Sequence, residues 1–474
     1  MISLTIAELA ALVDGTVAGD PTTLVTGAAS LDSRTVEPRG LFVAISGEHV
    51  DGHDFAEAAV AAGAAAVLGS RPTAAPTVVV PDPVAALGRL ARAVLDRLPS
   101  RPTVLALTGS QGKTGTKDYL ARVLAAVAPT VATRGNHNNE LGVPLTVLEA
   151  TPETAFLVVE MGARGIGHIS YLCGIAPPQV AAVLNVGTAH IGEFGSREAI
   201  ARAKGEIVEA LPTAGTAVLN ADDDLTAAMA TRTAARVLSF GREGDVAWRD
   251  IRLDELGRPS FQLGHADRWV PVTLHQLGEH QVANASAAAA MALAAGVPLD
   301  TVAAALEGAT AGSRWRMEPH TRADGLLVVN DAYNANPASM EAALETLAAI
   351  GCRSGRRRVA VLGEMRELGE QSRSGHLEVG RAAARTGVDL LVTVGPEADA
   401  IAEGARAEAS WTGIAITTAG RDDALDRVRN NVTADDVVLV KASRGAALEV
   451  VVDGLLAHRD GIDEGTDGSM RTGR

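Results

Sequence analysis

The chain has 474 residues, a formal net charge of −15 at neutral pH and an apolar fraction of 47%. A broad nucleic-acid surface needs a basic face, so this charge excludes one, while a locally positive cleft for a small anion stays open. Two cysteines, Cys173 and Cys352, lie far apart in no metal-like spacing, which excludes a disulfide framework and suits a reducing compartment.

The first residues carry Glu8 inside their apolar stretch and no basic segment, unlike a secretory signal. The longest uncharged apolar run, 285–297, is too short to cross ~30 Å of hydrocarbon. A cytoplasmic chain without a membrane span is the expectation, with a monomer as the default state.

Strand-like apolar runs alternate with Ala-rich helical stretches throughout, the pattern of an α/β fold with largely parallel sheets. A helix expected over 84–98 is stopped by Pro99 and Pro102, which read as a linker before a strand at 103–107. A second break near 309–313 precedes a strand at 326–329. Domains are therefore expected at 1–99, 100–312 and 313–458, with a disordered Gly/Asp/Ser/Thr-rich tail over 459–474.

In the central segment three apolar runs each end in polar residues. The run 104–107 ends in Thr108-Gly109-Ser110-Gln111-Gly112-Lys113-Thr114, the run 156–159 in Glu160-Met161-Gly162, and the run 180–186 in Gly187-Thr188-Ala189-His190. Open α/β sheets bind ligands at the carboxyl ends of their strands, so three parallel strands here share one rim. The third segment repeats the theme, with buried strands expected at 359–362, 390–394 and 437–440 in a Rossmann-like domain.

The stretch 108–114, between a strand and a helix expected over 116–127, reads as a phosphate loop. Glycines let backbone N–H groups close on phosphate oxygens, and the helix N-terminus adds donors. Lys113 reaches the β/γ-phosphates and the Thr114 hydroxyl can hold Mg²⁺. The spacing G-x-x-x-x-G-K-[ST] is not met, because its first glycine falls at Leu107. The bland alternative is an ordinary strand–turn–helix junction.

The chain has only four lysines: Lys113, Lys117, Lys204 and Lys441. Where arginine replaces lysine wherever it can, a retained lysine marks chemistry that needs a point charge or a neutral amine. Lys204 is expected to open a helix, and its amine could take up CO₂ as a carbamate. Lys441 ends a strand before Ser443 and Arg444, an anion-binding cluster. Lys117 is expected to face outward on its helix without a role. Mg²⁺ prefers oxygen ligands, so Thr114, Glu160 and a carbamate at Lys204, with His190 beside them, suit two ions. Taken singly, Glu160 could be a helix cap and His190 a structural residue.

The stretches TGSQGKT, VVEMGA, NVGTAHIGEFGS and ARAKGEI together resemble the Mur ligases, ATP-dependent enzymes that build the peptide stem of bacterial peptidoglycan. The likeness runs from Ser30 to about Asp453. Four stretches, RGNHNNELGVP, NDAYNANPASM, GEMRELGEQS with His376, and DSRTVEPRGLFVAISGEHVDGHDF, resemble the members that use D-alanyl-D-alanine, and no Asp-Asn-Pro-Arg motif of the diamino-acid-adding members is present. The resemblance implies a UDP-sugar-binding N-terminal domain, a central ATPase domain and a C-terminal ligase domain. It implies ATP and two Mg²⁺ as cofactors, and UDP-N-acetylmuramoyl-tripeptide and D-alanyl-D-alanine as partners.

By position, Gly109, Ser110, Gln111, Gly112, Lys113 and Thr114 would bind the ATP phosphates. Thr114 and Glu160 would hold one Mg²⁺, and His190 with carbamylated Lys204 the second. Asn284 would contact the adenine side, and Arg316 and Asp331 would close over the nucleotide. Ser33 and Arg34 would bind the UDP portion, and Asn138, Asn139, Asn334, Lys441 and Arg444 would line the peptide sites. Plainer readings remain: Asp331, Asn334 and Asn336 as turn formers, Ser33 as a helix cap with Arg34 a solvated charge. A folylpolyglutamate-synthase-like ligase and a nucleotide-sensing module without ligation are the competing functions.

Overall fold

The computed structural model describes residues 1–47, 50–187, 191–309 and 312–457. They divide into two compact units, one of Met1–Ser313 with Glu367–Glu370, the other of Arg314–Arg366 and the residues from Gln371 on. The expected break near 313 coincides with that division. His190 and the expected tail lie outside the described residues.

The first unit holds two main sheets. The smaller has five strands in the order Thr16–Ala18, Thr77–Val79, Ala66–Gly69, Leu41–Val43, Ala29–Ser30, parallel except for the first pair. The larger has nine. Its parallel part runs Val246–Leu253, Arg236–Phe240, Thr216–Asn220, Val180–Val183, Thr103–Thr108, Phe156–Glu160, Thr130–Ala132, and the strands Pro259–His265 and Arg268–Thr273 extend it antiparallel.

Both faces of this sheet are covered. Val104 and Ala106 point into one buried cluster and Leu105 and Leu107 into another, the period-two alternation of a strand. The first cluster also contains Leu87 and Val94 from the helix Pro83–Arg97, so the sequence break at 99 separates two sheets that share one continuous core.

The strand expected over 180–186 stops at Val183. Beyond it the backbone turns to other partners: Asn185 O accepts from Ser110 N–H at 3.2 Å, and Val186 N–H donates to Asp223 at 3.0 Å. The helix expected over 116–127 is Lys113–Ala125, starting at Gly112, whose φ of 79° is the left-handed region that glycine tolerates. Lys204 does not open a helix. It lies well inside Arg197–Glu209, whose true start is fixed by Ser196 Oγ accepting from Ala199 N–H at 3.1 Å.

The second unit is a six-stranded sheet, Glu318–Thr321, Leu327–Asp331, Asp436–Lys441, Arg357–Gly363, Leu390–Val394, Ile414–Thr418, parallel except for the first strand. Val328, Val361, Val392 and Val438 form its core. Among the described residues no helix is long and apolar enough to cross a membrane.

Candidate active site

Adjacent parallel strands bring the loop after Thr108 and Glu160 to one rim; of the third stretch only Gly187 lies within the described residues. Glu160 pairs in register with Leu107, and Val183 with Thr108. The loop 109–112 leaves the middle strand, and Lys113 and Thr114 begin the helix behind it. Thr114 is buried, and Lys113 Nζ folds back to donate to Gly109 O at 2.7 Å.

The loop is held by a residue that the sequence alone did not single out. Asn185 Oδ1 accepts from the N–H groups of Ser110 and Gln111, both at 3.0 Å, and its Nδ2 donates to Gln111 O at 3.1 Å. Ser110 Oγ in turn accepts from Gly187 N–H at 2.9 Å. The only sequence signal for Asn185 was its place within the third strand-end stretch. Asn284 packs on the loop from the helix His280–Ala294: a Cβ on Gly112 would sit 2.4 Å from Asn284 Oδ1. Gln281 Oε1 accepts from Asn284 Nδ2 at 3.1 Å and fixes that amide.

Glu160 is 1% exposed. Its Oε1 accepts from Asn138 Nδ2 at 2.7 Å, while Oε2 is buried without a hydrogen-bond partner. An orphaned buried carboxylate oxygen is costly, and a cation is the natural partner for it. Asn139 Oδ1 accepts from Leu141 and Gly142 N–H, just ahead of the helix Gly142–Leu148.

Lys204 is buried. Burial, and then the charge of Lys113, push its amine well below the usual lysine range. A neutral amine is the form that reacts with CO₂, so this environment suits the carbamate expected at Lys204. Thr114, Glu160 and a carbamate are all hard oxygen donors of the kind Mg²⁺ takes. Among the described residues no cluster of three or more His, Cys, Asp or Glu side chains could hold a metal.

Lys117 corrects its expectation. It faces inward, 4% exposed, with Nζ donating to Thr133 O at 2.9 Å and pairing with Asp118 at 2.5 Å. The amine is drawn inward by these two partners, so a position expected to face outward is buried.

The smaller sheet of the first unit carries a loop with half-buried Ser33 and exposed Arg34. Arg34 holds the Asp32 carboxylate at 2.9 and 2.7 Å, and these bonds bring the Asp32 carboxyl down to about 2. No helix begins at Ser33, so the capping alternative fails.

The second unit has its own polar cluster at its strand ends. Lys441 Nζ pairs with Asp331 Oδ2 at 2.6 Å and donates to Asn334 O at 2.8 Å. Asp331 Oδ1 accepts from Met317 N–H at 3.2 Å. The Arg316 guanidinium lies 4.3 Å over the Tyr333 ring, and that of Arg444 lies 4.4 Å over Trp315 while bonding Glu449 at 2.8 Å. Trp315 and Met317 have φ of 60° and 49°, a strained backbone that sets the direction of Arg316 between them.

Comparison with known proteins accords with this geometry. Family models described as Mur ligase family, catalytic domain, Mur ligase middle domain, and Mur ligase, glutamate ligase domain match residues 28–106, 107–292 and 315–444. The UDP-N-acetylmuramoyl-tripeptide–D-alanyl-D-alanine ligase of Mycobacterium bovis is 46% identical over 99% of this chain and 100% of its own length. The Escherichia coli enzyme of that name is 37% identical over 96% and 99%. The crystal structure of MurF from Acinetobacter baumannii superposes with a TM-score of 0.86 at 36% identity, covering 96% of this chain and 99% of that one. MurF ligase from Thermotoga maritima, in complex with ADP, gives 0.77 at 32%, covering 91% and 97%. A phosphate loop and a buried acid on one sheet rim and a desolvated lysine on the helix Arg197–Glu209, together with these full-length matches, place the chain in the Mur ligase family.

Proposed function

We propose that this chain is an ATP-dependent, ADP-forming ligase of the cytoplasm that joins D-alanyl-D-alanine to UDP-N-acetylmuramoyl-tripeptide, a step of peptidoglycan precursor synthesis. The observation that carries this reading is the rim on which the Lys113 loop and the half-partnered Glu160 carboxylate end adjacent strands, with a buried Lys204 amine that feels the charge of Lys113, in a chain alike over its full length to ligases of that name. We read 1–99 as the UDP-sugar segment, 100–312 as the ATP segment and 313–458 as the ligase segment.

In this mechanism a carboxylate oxygen of the tripeptide attacks the γ-phosphorus of ATP, and ADP leaves. The amine of D-alanyl-D-alanine then attacks the acyl carbon and expels phosphate, giving up one proton. Loop N–H groups and Lys113 hold the phosphates, and Lys113 offsets charge that develops on them. Asn284, its amide held by Gln281, contacts the adenine side of the nucleotide. Lys204 gains a carbamate when its neutral amine bonds to CO₂ and loses a proton. Mg²⁺, when bound by Thr114, Glu160 and that carbamate with His190, supplies charge neutralisation at the transferring phosphoryl group. Ser33 and Arg34 take the UDP portion. Arg316 and Asp331 contact the nucleotide, and Asn138, Asn334, Lys441 and Arg444 contact the peptide.

The test is ADP release with each substrate omitted in turn. Release that needs both the UDP-linked tripeptide and D-alanyl-D-alanine is expected. Release driven by glutamate instead, or equal release without the dipeptide, overturns the reading.

A further inference from the structure

Lys117 lies one turn beyond Lys113 on the same helix, and the ligation chemistry above gives it no work. Burying an amine costs several kcal/mol unless it is well partnered, and an apolar side chain of like volume avoids that cost. The chain keeps so few lysines that one held inside at this expense calls for a reason.

The reason lies in what Lys117 grips. Besides its neighbour Asp118, it holds the backbone oxygen of Thr133, the residue that immediately follows the edge strand Thr130–Ala132. Thr133 N–H donates to Val158 O at 3.0 Å, and Thr133 Oγ1 accepts from Glu160 N–H at 3.1 Å. Five residues on, Asn138 Nδ2 holds Glu160 Oε1 at 2.7 Å, and Asn138 O accepts from Gly162 N–H at 2.8 Å. The backbone of Glu160 and its carboxylate are thus both set by the segment 133–138, and Lys117 fastens that segment to the phosphate-loop helix.

We propose that Lys117 is a positioning residue that fixes the Glu160 carboxylate relative to the phosphate loop, acting through Thr133. It touches neither nucleotide nor metal. The inference deepens the function proposed above and rests on it for the metal-binding role of Glu160. Outer partners that orient a metal ligand typically account for about 10–100-fold in metal affinity or activity.

The experiment is calorimetric titration of the full chain with ADP, with and without Mg²⁺, for wild type, Lys117→Met, Thr133→Val and the double variant. Metal-free ADP binding reports the integrity of the loop and is expected to stay within about twofold. The gain in affinity that Mg²⁺ brings is expected to fall about 10–100-fold in each single variant, and no further in the double variant, because both act along one path. A Lys117→Met protein whose Mg²⁺ gain matches wild type overturns the inference. If Lys117→Met does not fold, Lys117→Gln, too short to hold the Thr133 carbonyl in the same way, decides: loss of the gain supports the path and a wild-type gain refutes it. A wild type with no Mg²⁺ gain at all overturns the metal reading of Glu160 itself, a different failure from the first.

Discussion

Replacing Asn185 by alanine tests whether the phosphate loop is held from outside. The side chain makes three hydrogen bonds to the loop, two accepted from Ser110 and Gln111 N–H and one donated to Gln111 O. Each contributes about 0.5–1.5 kcal/mol net. Ser110 N–H keeps a second partner in Asn185 O, which the substitution leaves in place. The bonds are only part-buried, so water replaces some of them, and the loss works out at about 2 kcal/mol. Alanine at 185 is then expected to lower the midpoint of the first thermal transition by roughly 4–8 °C at about 2–4 °C per kcal/mol. A loop that must be ordered by the nucleotide instead of beforehand loses affinity, about tenfold for each 1.4 kcal/mol of ordering. The KM for ATP is expected to rise about tenfold or more, with little change in the KM for D-alanyl-D-alanine. Differential scanning calorimetry and steady-state ADP release measure both. A variant with wild-type melting and wild-type KM for ATP refutes the reasoning.

Lys204→Met is expected to abolish ligation and to raise stability in CO₂-free buffer. The folded amine is depressed well below its unfolded value of 10.5, so the unfolded chain binds more protons and wild-type stability climbs as pH rises toward that value. Methionine removes that dependence. Its advantage in thermal melting is therefore largest at low pH and shrinks as pH approaches about 10, and a variant less stable than wild type at pH 7 contradicts it. Gly112→Ala places a side chain at φ 79°, which costs about 1–2 kcal/mol, with its Cβ 2.4 Å from Asn284 Oδ1. ADP release is expected to fall at least about tenfold, and turnover equal to wild type tells against the loop geometry described.

Local pattern carried a good deal of this protein. The runs at 103–107, 156–159, 390–394 and 437–440 became strands because short β-branched stretches bounded by turn residues have few other ways to bury themselves, and within the first unit the ends of 103–107 and 156–159 fell on one rim because parallel strands aim their carboxyl ends alike. The sequence likewise placed Lys113, Thr114 and Glu160 on adjacent strand ends. It did not reveal Asn185 beneath the loop, because the bond joins residues 74 and 75 positions apart and no local spacing encodes that pairing. It misplaced Lys117, expected to face outward, because the bond that draws its amine inward runs to Thr133, 16 positions away at the end of the sheet's edge strand. Lys204 is the mixed case: its rarity was visible in the composition, but the desolvation that frees its amine exists only where the folded chain closes around it.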